Sequence, residues 1–334
     1  SDVEKLAPGR FLIHPWSEDG DGNYKFHLNV RVINDSGEPE SLDLQIEWDD
    51  PEYMECRDYV LLGKGEQWEF CQARLSGTIS TVQLTIPPGE WFIALHPVYD
   101  LESFQKDCQH AVSIGLEDKV IGVSQGGRNI IALSCGMQEA PAIFVVSRLH
   151  PYETAGSWCV SEILNLLCDE AHSSGPLVSK FRFVVVPMPN PDGVASGCCK
   201  LSQRGGTDLC HEGAAPGDMA GEALARLLTA VKPMAYLDLH GWMYRNHDGL
   251  SWSHDTERDA LVGKLSGDPV FSKEWRGSSW AKKPDRLGDF FMRASRDHGA
   301  ISFIVSPSWF GRDVSQMRHF GRAMLKAICE VVDT

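Results

Sequence analysis

The sequence predicts an α/β fold, a mixed sheet flanked by helices, preceded by a small antiparallel β-sandwich. Three observations carry that expectation. The first hundred residues hold short runs in which apolar and polar residues alternate, the period of half-buried strands. After about residue 100 the pattern changes to strands alternating with amphipathic helices, which implies a mixed or mostly parallel sheet. Third, the stretch from Val145 to Leu167 reads as a buried strand, a short polar turn and a helix. Apolar Ile143 to Val146 form the strand, and Val160, Ile163, Leu164 and Leu167 recur at helical spacing. The expected division is residues 1–99 for the sandwich and 100–334 for the α/β domain.

Taken in order, Phe26, Leu28, Val30 and Val32 alternate with Lys25, His27, Asn29 and Arg31, and the turn Asn34-Asp-Ser-Gly37 ends that strand. Leu42, Leu44 and Ile46 alternate again. Trp68 to Ala73, Thr81 to Ile86 and Trp91 to Leu95 complete the sandwich, with Pro87-Pro88-Gly89 as a turn. Beyond it, Val120 to Val123 and Ile130 to Ser134 flank Gly126-Gly127. The strand at Ile143 to Val146 and the helix after Glu153 follow. Then come a strand from Phe181 to Val186, a helix from Ala220 to Val231 and a strand from Met234 to Leu239. A helix around Leu287 to His298, a strand from Ile301 to Val305 and a helix from Val314 to Val332 close the chain.

Composition narrows the function classes. With 334 residues and 43% hydrophobic content the chain can bury a sizeable core. Its formal charge of −15, from 46 acidic and 31 basic residues, argues against a nucleic-acid footprint. No apolar run approaches the roughly 18 residues of a membrane span. The start, SDVEKLAPGR, lacks an apolar signal core. Ten cysteines without regular spacing are then free thiols, and the expected location is the cytoplasm.

The chemistry concentrates where strands end. His150 and Glu153 lie three apart in the turn after a strand. Imidazole nitrogen and carboxylate oxygen are ligands that Zn²⁺ takes in catalytic sites, where three protein ligands leave a position open. His240 follows the strand Tyr236-Leu-Asp-Leu and precedes Gly241, so both histidines fall on the carboxyl rim, where sites in such sheets lie. His240 is the natural third ligand, and Asp238 on the same strand face is placed to orient its ring.

These residues resemble a family. His150-Pro-Tyr-Glu153-Thr-Ala-Gly-Ser157-Trp158, with Arg148 before it, looks like the R-x-H-P-G-E-T-x-x-S-W segment of cytosolic-type zinc metallocarboxypeptidases. Pro187-Met-Pro-Asn190-Pro-Asp-Gly193-Val194 is similar to their P-M-x-N-P-D-G-V segment. Asp238-Leu-His240-Gly241 resembles their third-ligand strand, and the leading β-domain with Ala94-Leu-His-Pro97 looks like theirs. The resemblance implies a zinc-binding hydrolase domain with His150, Glu153 and His240 as ligands.

Three departures accompany it. Where the family carries G-x-D-L-N-R, whose Asn and Arg hold a terminal carboxylate, this chain has Gly206-Thr-Asp208-Leu209-Cys210-His211. Neither thiol nor imidazole replaces a bidentate guanidinium. The place of the family's oxyanion-stabilising Arg is taken by Lys200, by Arg204 or by neither. Its general-base Glu aligns with Ser306 in Ile304-Val-Ser306-Pro-Ser308-Trp-Phe-Gly311, and a hydroxyl cannot serve as that base unaided. Glu212 and Asp218 are candidates to replace it. Tyr244, Arg245 and Arg312 lie in polar loops near the same rim and are further candidates, Tyr244 for catalysis and the two arginines, with Cys210 and His211, for substrate binding. Trp242, Trp252, Trp275, Trp280 and Trp309 are candidates to wall a pocket. Two readings follow: a zinc hydrolase cleaving an amide in a non-standard small-molecule or peptide substrate, or a zinc-retaining protein with a silent or changed reaction, lyase, cyclase or transferase.

Overall fold

The computed structural model describes residues 1–15, 27–48, 56–203, 205–241, 244–279 and 288–333. The amino-terminal part is built from β1 (Asp2–Ala7), β2 (Arg10–His14), β3 (Asn29–Asn34), β4 (Glu40–Glu47), β5 (Tyr59–Lys64), β6 (Gln67–Gln72), β7 (Arg74–Ser76), β8 (Ile79–Ile86) and β9 (Gly89–Ala94). They form two sheets, ordered β1-β2-β4-β8-β7 and β3-β9-β5-β6. Pairing is antiparallel apart from β2 with β4, which run parallel. The alternation has the expected physical consequence. Along β8 every second residue is buried, and Val82, Leu84 and Ile86 meet Val60, Leu62 and Ile93 of the other sheet in one core. β5 carries an almost continuous buried run, Tyr59-Val-Leu-Leu-Gly, which has no period to betray it. β1 is nearly all exposed and gives no apolar signal. Phe26 lies outside the described residues.

The rest is α/β. It runs α1 (Leu101–Ser113), β10 (Glu117–Val123), β11 (Asn129–Cys135), β12 (Ala142–Ser147), α2 (Thr154–Ser173), α3 (Pro176–Lys180), β13 (Arg182–Val186), α4 (Pro191–Ser196), α5 (Met219–Val231), β14 (Ala235–Leu239), β15 (Asp248–Trp252), α6 (Asp255–Leu265), β16 (Trp275–Arg276), α7 (Asp289–Met292), β17 (Ile301–Ser306) and α8 (Val314–Val332). The helix expected around Leu287 to His298 is α7 continued by a π-helical turn, Arg293–Asp297, with Leu287 outside the described residues. Helix α6 buries only Leu261 and Leu265 and its sequence carries little helical period, whereas α1 buries Phe104, Cys108 and Ala111 at helical spacing that the sequence does show.

The sheet order is β10-β11-β13-β12-β14-β17-β15-β16. β13, β12, β14 and β17 are parallel neighbours and both faces are covered. Ile143, Val145, Phe183, Val185, Leu237 and Leu239 pack towards α2 and α8, while Phe144, Val146, Val184, Val186 and Tyr236 pack towards α5. Each such side chain stabilises the fold by about 1.5–3 kcal/mol when fully buried. β12 has β13 on one side and β14 on the other, so the chain reverses its direction of travel across the sheet there. The crevice at such a switch point is where ligands bind in α/β sheets. Helix α2 lies close enough to β14 that a Cβ on Gly156 would stand 2.2 Å from Leu239 O, so only glycine fits.

The sandwich touches this rim directly. Tyr152, between the two candidate ligands on β12's loop, belongs to the sandwich core, and His96 stacks on it at 6.0 Å with Nδ1 3.4 Å from Tyr152 O. Burial pushes the His96 imidazole down to about 4, with the Tyr152 carbonyl and Glu153 opposing and Arg148 adding to the fall. A histidine depressed in the folded state keeps its contribution above its unfolded value near 6.5 and loses it as pH falls towards 4. His96→Gln should therefore flatten the stability loss between pH 6.5 and 4 by roughly 3 kcal/mol, at 1.36 kcal/mol per unit. Denaturant titrations of both proteins across that window check it; parallel curves would contradict it.

Candidate metal centre

The loop that carries His150 and Glu153 is held by its own side chains. Arg148, buried and at φ 60°, turns the chain at the end of β12. Its Nε donates to Pro151 O at 2.6 Å and its Nη1 to Ser157 Oγ at 2.9 Å. Asn190, the N-cap of α4, donates to Leu149 O at 2.9 Å, and Tyr152 N donates to Cys199 O at 3.2 Å. Glu153 stands at the N-cap of α2 yet makes no side-chain cap. Its carboxylate turns instead to the histidines.

That carboxylate joins the two strand ends. Oε1 lies 2.9 Å from His150 Nδ1, and Oε2 lies 2.6 Å from His240 Nδ1 and accepts Gly241 N–H at 3.1 Å. The imidazole centroids are 4.9 Å apart. All three residues are buried, at 4%, 4% and 5% exposure for His150, Glu153 and His240. The opposite ring nitrogens face other acids. His150 Nε2 is 3.2 Å from Asp208 Oδ1, and His240 Nε2 is 3.1 Å from Asp238 Oδ1. Tyr236 donates to Asp238 Oδ2 at 3.3 Å, leaving Oδ1 to face His240. Two imidazoles with a shared carboxylate on one edge and a separate carboxylate on each far nitrogen form a donor set that suits zinc, because such outer acids fix tautomer and ring orientation.

Asp208 is the residue that the sequence reading passed over. Its Oδ1 accepts the backbone N–H groups of Cys210 (3.0 Å) and His211 (3.1 Å) besides facing His150. Its Oδ2 meets His211 Nδ1 at 3.0 Å and lies 3.8 Å from Lys200 Nζ. It is the acid of the segment that aligns with G-x-D-L-N-R, and its retention beside two altered residues was the available signal.

The electrostatics follow from these neighbours. Burial alone would lower His150 and His240, but Glu153 with Asp208 acting on the first, and Asp238 with Glu153 on the second, raise both well above the usual imidazole range. Burial would likewise raise Glu153, and the two imidazoles hold it well below. The same contest keeps Asp208 far below the ordinary carboxylate range. The Asp208 hydrogen bond raises His211. At Cys210 burial is outweighed by the imidazoles, and its thiol falls to about 7. Loading a metal here displaces protons from the ligands.

Comparison with known proteins places this geometry. The profile of the family described as zinc carboxypeptidase matches residues 101–201. Mouse cytosolic carboxypeptidase 1 is 35% identical over 117 residues, 32% of this chain and 9% of that protein. Cytosolic carboxypeptidase 2 of Xenopus tropicalis is 36% identical over 115 residues, 32% of this chain and 12% of that protein. The matched stretch is thus a small part of those relatives. A metallo-carboxypeptidase from Burkholderia cenocepacia superimposes with a TM-score of 0.81 at 18% identity, covering 99% of this chain and 96% of that one. So does a metallo-carboxypeptidase from Pseudomonas aeruginosa in complex with (2-guanidinoethylmercapto)succinic acid, at 0.80 and 16%, with coverage of 99% and 96%. Residues 101–201 thus match the zinc carboxypeptidase family, and the chain as a whole shares the fold of the metallo-carboxypeptidases. The matched stretch resembles the cytosolic carboxypeptidases.

Against the superfamily pattern, the remaining candidates divide. Ser306 ends β17 and is buried. His240 N–H donates to the neighbouring Val305 O at 2.8 Å, so Ser306 lies on the same rim. Lys200, Cys210 and His211 join the cluster through Asp208, and His211 stacks on His150 at 5.9 Å. Arg312 does not face this cluster. Its Nη1 and Nη2 each meet Asp248 at 2.7 Å, and it also donates to Val270 O and Ser308 O, a buried clamp that leaves little for a substrate. Arg245 pairs with Asp58 of the sandwich side and lies 4.5 Å over Phe310. Tyr244 stacks on His247 at 5.1 Å. Glu212 accepts Asp208 N–H, and Asp218 caps α5, so both acids are engaged in the scaffold. Trp309 is core, with Trp252 and Trp275 packed against it. Arg204, Trp242 and Trp280 lie outside the described residues.

Asp208→Asn should lower zinc affinity by about 10–100-fold, the usual effect of removing an orienting carboxylate. Competition against a chromophoric chelator measures it, and unchanged affinity would assign Asp208 to the scaffold alone.

Proposed function

We propose that the chain is a zinc-dependent hydrolase of the carboxypeptidase fold that cleaves an amide in a substrate other than an ordinary peptide carboxy terminus. Zinc is held by His150, Glu153 and His240. The observation that carries this reading is the convergence of both Nδ1 atoms on one buried carboxylate at the switch point of the sheet. When bound, zinc polarises the scissile carbonyl. The protein's own groups supply the rest. Asp208 and Asp238 fix the imidazoles, Lys200 brings a buried positive charge beside Asp208, and Ser306 offers a hydroxyl on the rim without acting as base.

The substrate class follows from what is missing. Cys210 and His211 stand where the family clamps a carboxylate, and losing a charge-assisted bidentate pair weakens carboxylate binding by on the order of a few kcal/mol. The acidic chain further disfavours nucleic acid. All ten cysteines are free, none of the helices is long and apolar enough to cross a membrane among the described residues, and the curated relatives are called cytosolic; together these support a reducing, cytoplasmic setting. The second reading, a silent zinc-containing binding protein or a changed reaction, is favoured by one observation, a thiol 3.8 Å from His240 Nε2 where the family has an amide.

A library of small amides and modified peptides, incubated with metal-loaded protein, should show amine release that a chelator stops, with unmodified carboxy-terminal residues released poorly. Efficient trimming of standard peptides would defeat the substrate assignment. If Ser306 is an inactivating replacement, Ser306→Glu should raise hydrolysis by ~10²–10⁴-fold, the worth of a recovered acid–base group. If the reaction has changed, the same variant should lower turnover of the native substrate.

A further inference from the structure

Cys210 is buried at the rim and held there by its backbone. It is 4% exposed, its N–H is held by Asp208 Oδ1 at 3.0 Å, and its carbonyl accepts Asp289 N–H at 2.7 Å. Gly288 makes room for the sulfur, since a Cβ there would stand 2.9 Å from Sγ. The thiol lies at the Nε2 edge of His240. Sγ lies 3.8 Å from His240 Nε2, and ligand atoms of His150, Cys210 and His240 all fall within 4.8 Å of one another.

Those spacings can be compared with what an ion needs. Around a tetrahedral zinc, with bonds of 2.3 Å to sulfur and 2.0–2.1 Å to nitrogen or oxygen, a sulfur–nitrogen edge is about 3.6 Å and a nitrogen–oxygen edge about 3.4 Å. On the Nε2 edge the observed values are 3.8 Å for Cys210 with His240 and 3.2 Å for Asp208 with His150. On the Nδ1 edge the values are 2.9 and 2.6 Å, hydrogen-bond spacings that must open to admit an ion. Among the described residues, Asp238 Oδ1, 3.1 Å from His240 Nε2, competes for the same nitrogen.

We infer that the histidine pair has a second metal edge, on which His150, Cys210 and His240 hold a thiophilic divalent ion with Asp208 at the fourth position. The inference rests on the zinc reading above and deepens it. One ion cannot use both nitrogens of the same rings, so the two edges are alternatives. The Glu153 edge leaves a position open to substrate. The Cys210 edge is filled by four protein groups, as structural zinc sites are, and is a resting form of the centre. On that edge Glu153 takes the outer role, accepting both Nδ1–H groups.

Cobalt(II) is the probe, added to the full chain after metal removal. The expected result is an intense near-ultraviolet thiolate-to-cobalt charge-transfer band in the unmodified protein and in Glu153→Gln, lost in Cys210→Ser. A second measurement avoids reliance on variants: zinc should protect Cys210 from alkylation at least tenfold, as read by mass mapping of its peptide. Stoichiometric cobalt binding with visible ligand-field bands but no thiolate band, and alkylation of Cys210 indifferent to zinc, would overturn this inference and leave the zinc reading standing. Failure to bind cobalt or zinc at all would overturn both.

Discussion

Everything at the rim depends on the Glu153 carboxylate reaching both imidazoles. It ties the loop after β12 to the end of β14, and it does so inside the protein, where an isolated carboxylate would cost several kcal/mol in lost hydration. The two nitrogens at 2.9 and 2.6 Å and the Gly241 N–H at 3.1 Å offset that cost. A helix start is surrendered as well, because Glu153 occupies the N-cap of α2 without capping it. Residues at functional sites commonly give up a local preference in this way.

The rest of the molecule bears on that contact from two sides. From within the sheet, Gly156 lets α2 approach Leu239 O, which sets the distance between the Glu153 helix and the His240 strand. Asn190 and Arg148 hold the loop by its carbonyls. From outside, the sandwich core extends to Tyr152 and Cys199, so the amino-terminal sheets buttress the ligand loop. His96, buried against Tyr152, and His27, on Cys198 O, carry the proton-sensitive part of that buttress.

Two of the departures from the family segments, Cys210 and His211, lie on the Asp208 side of the histidine pair. Ligand types are kept, with their outer acids, whereas the groups that would read a carboxylate and move a proton are replaced by a thiol, an imidazole and a hydroxyl. Two of the three replacements face inward and His211 is exposed. Cys210 and Ser306 are buried, and Asp208 binds Cys210 and His211 at the backbone as firmly as it faces His150.

The sequence by itself determined the fold class, because period-two runs and buried strands followed by amphipathic helices are local patterns that burial enforces residue by residue. It also determined the ligand candidates, since His150, Glu153 and His240 sit at strand ends in recognisable segments. Only the tertiary structure decided which charged side chains face the site. Arg312 and Arg245 share the loops of the rim in sequence, yet one is locked to Asp248 and the other to Asp58, partners 64 and 187 positions away. Asp208 gained its role, and Cys210 its place against His240, from contacts between segments brought together by the sheet order. A local pattern reports which face of an element is buried. It carries no record of which distant carboxylate a guanidinium meets, because that depends on where the strands stand in the sheet.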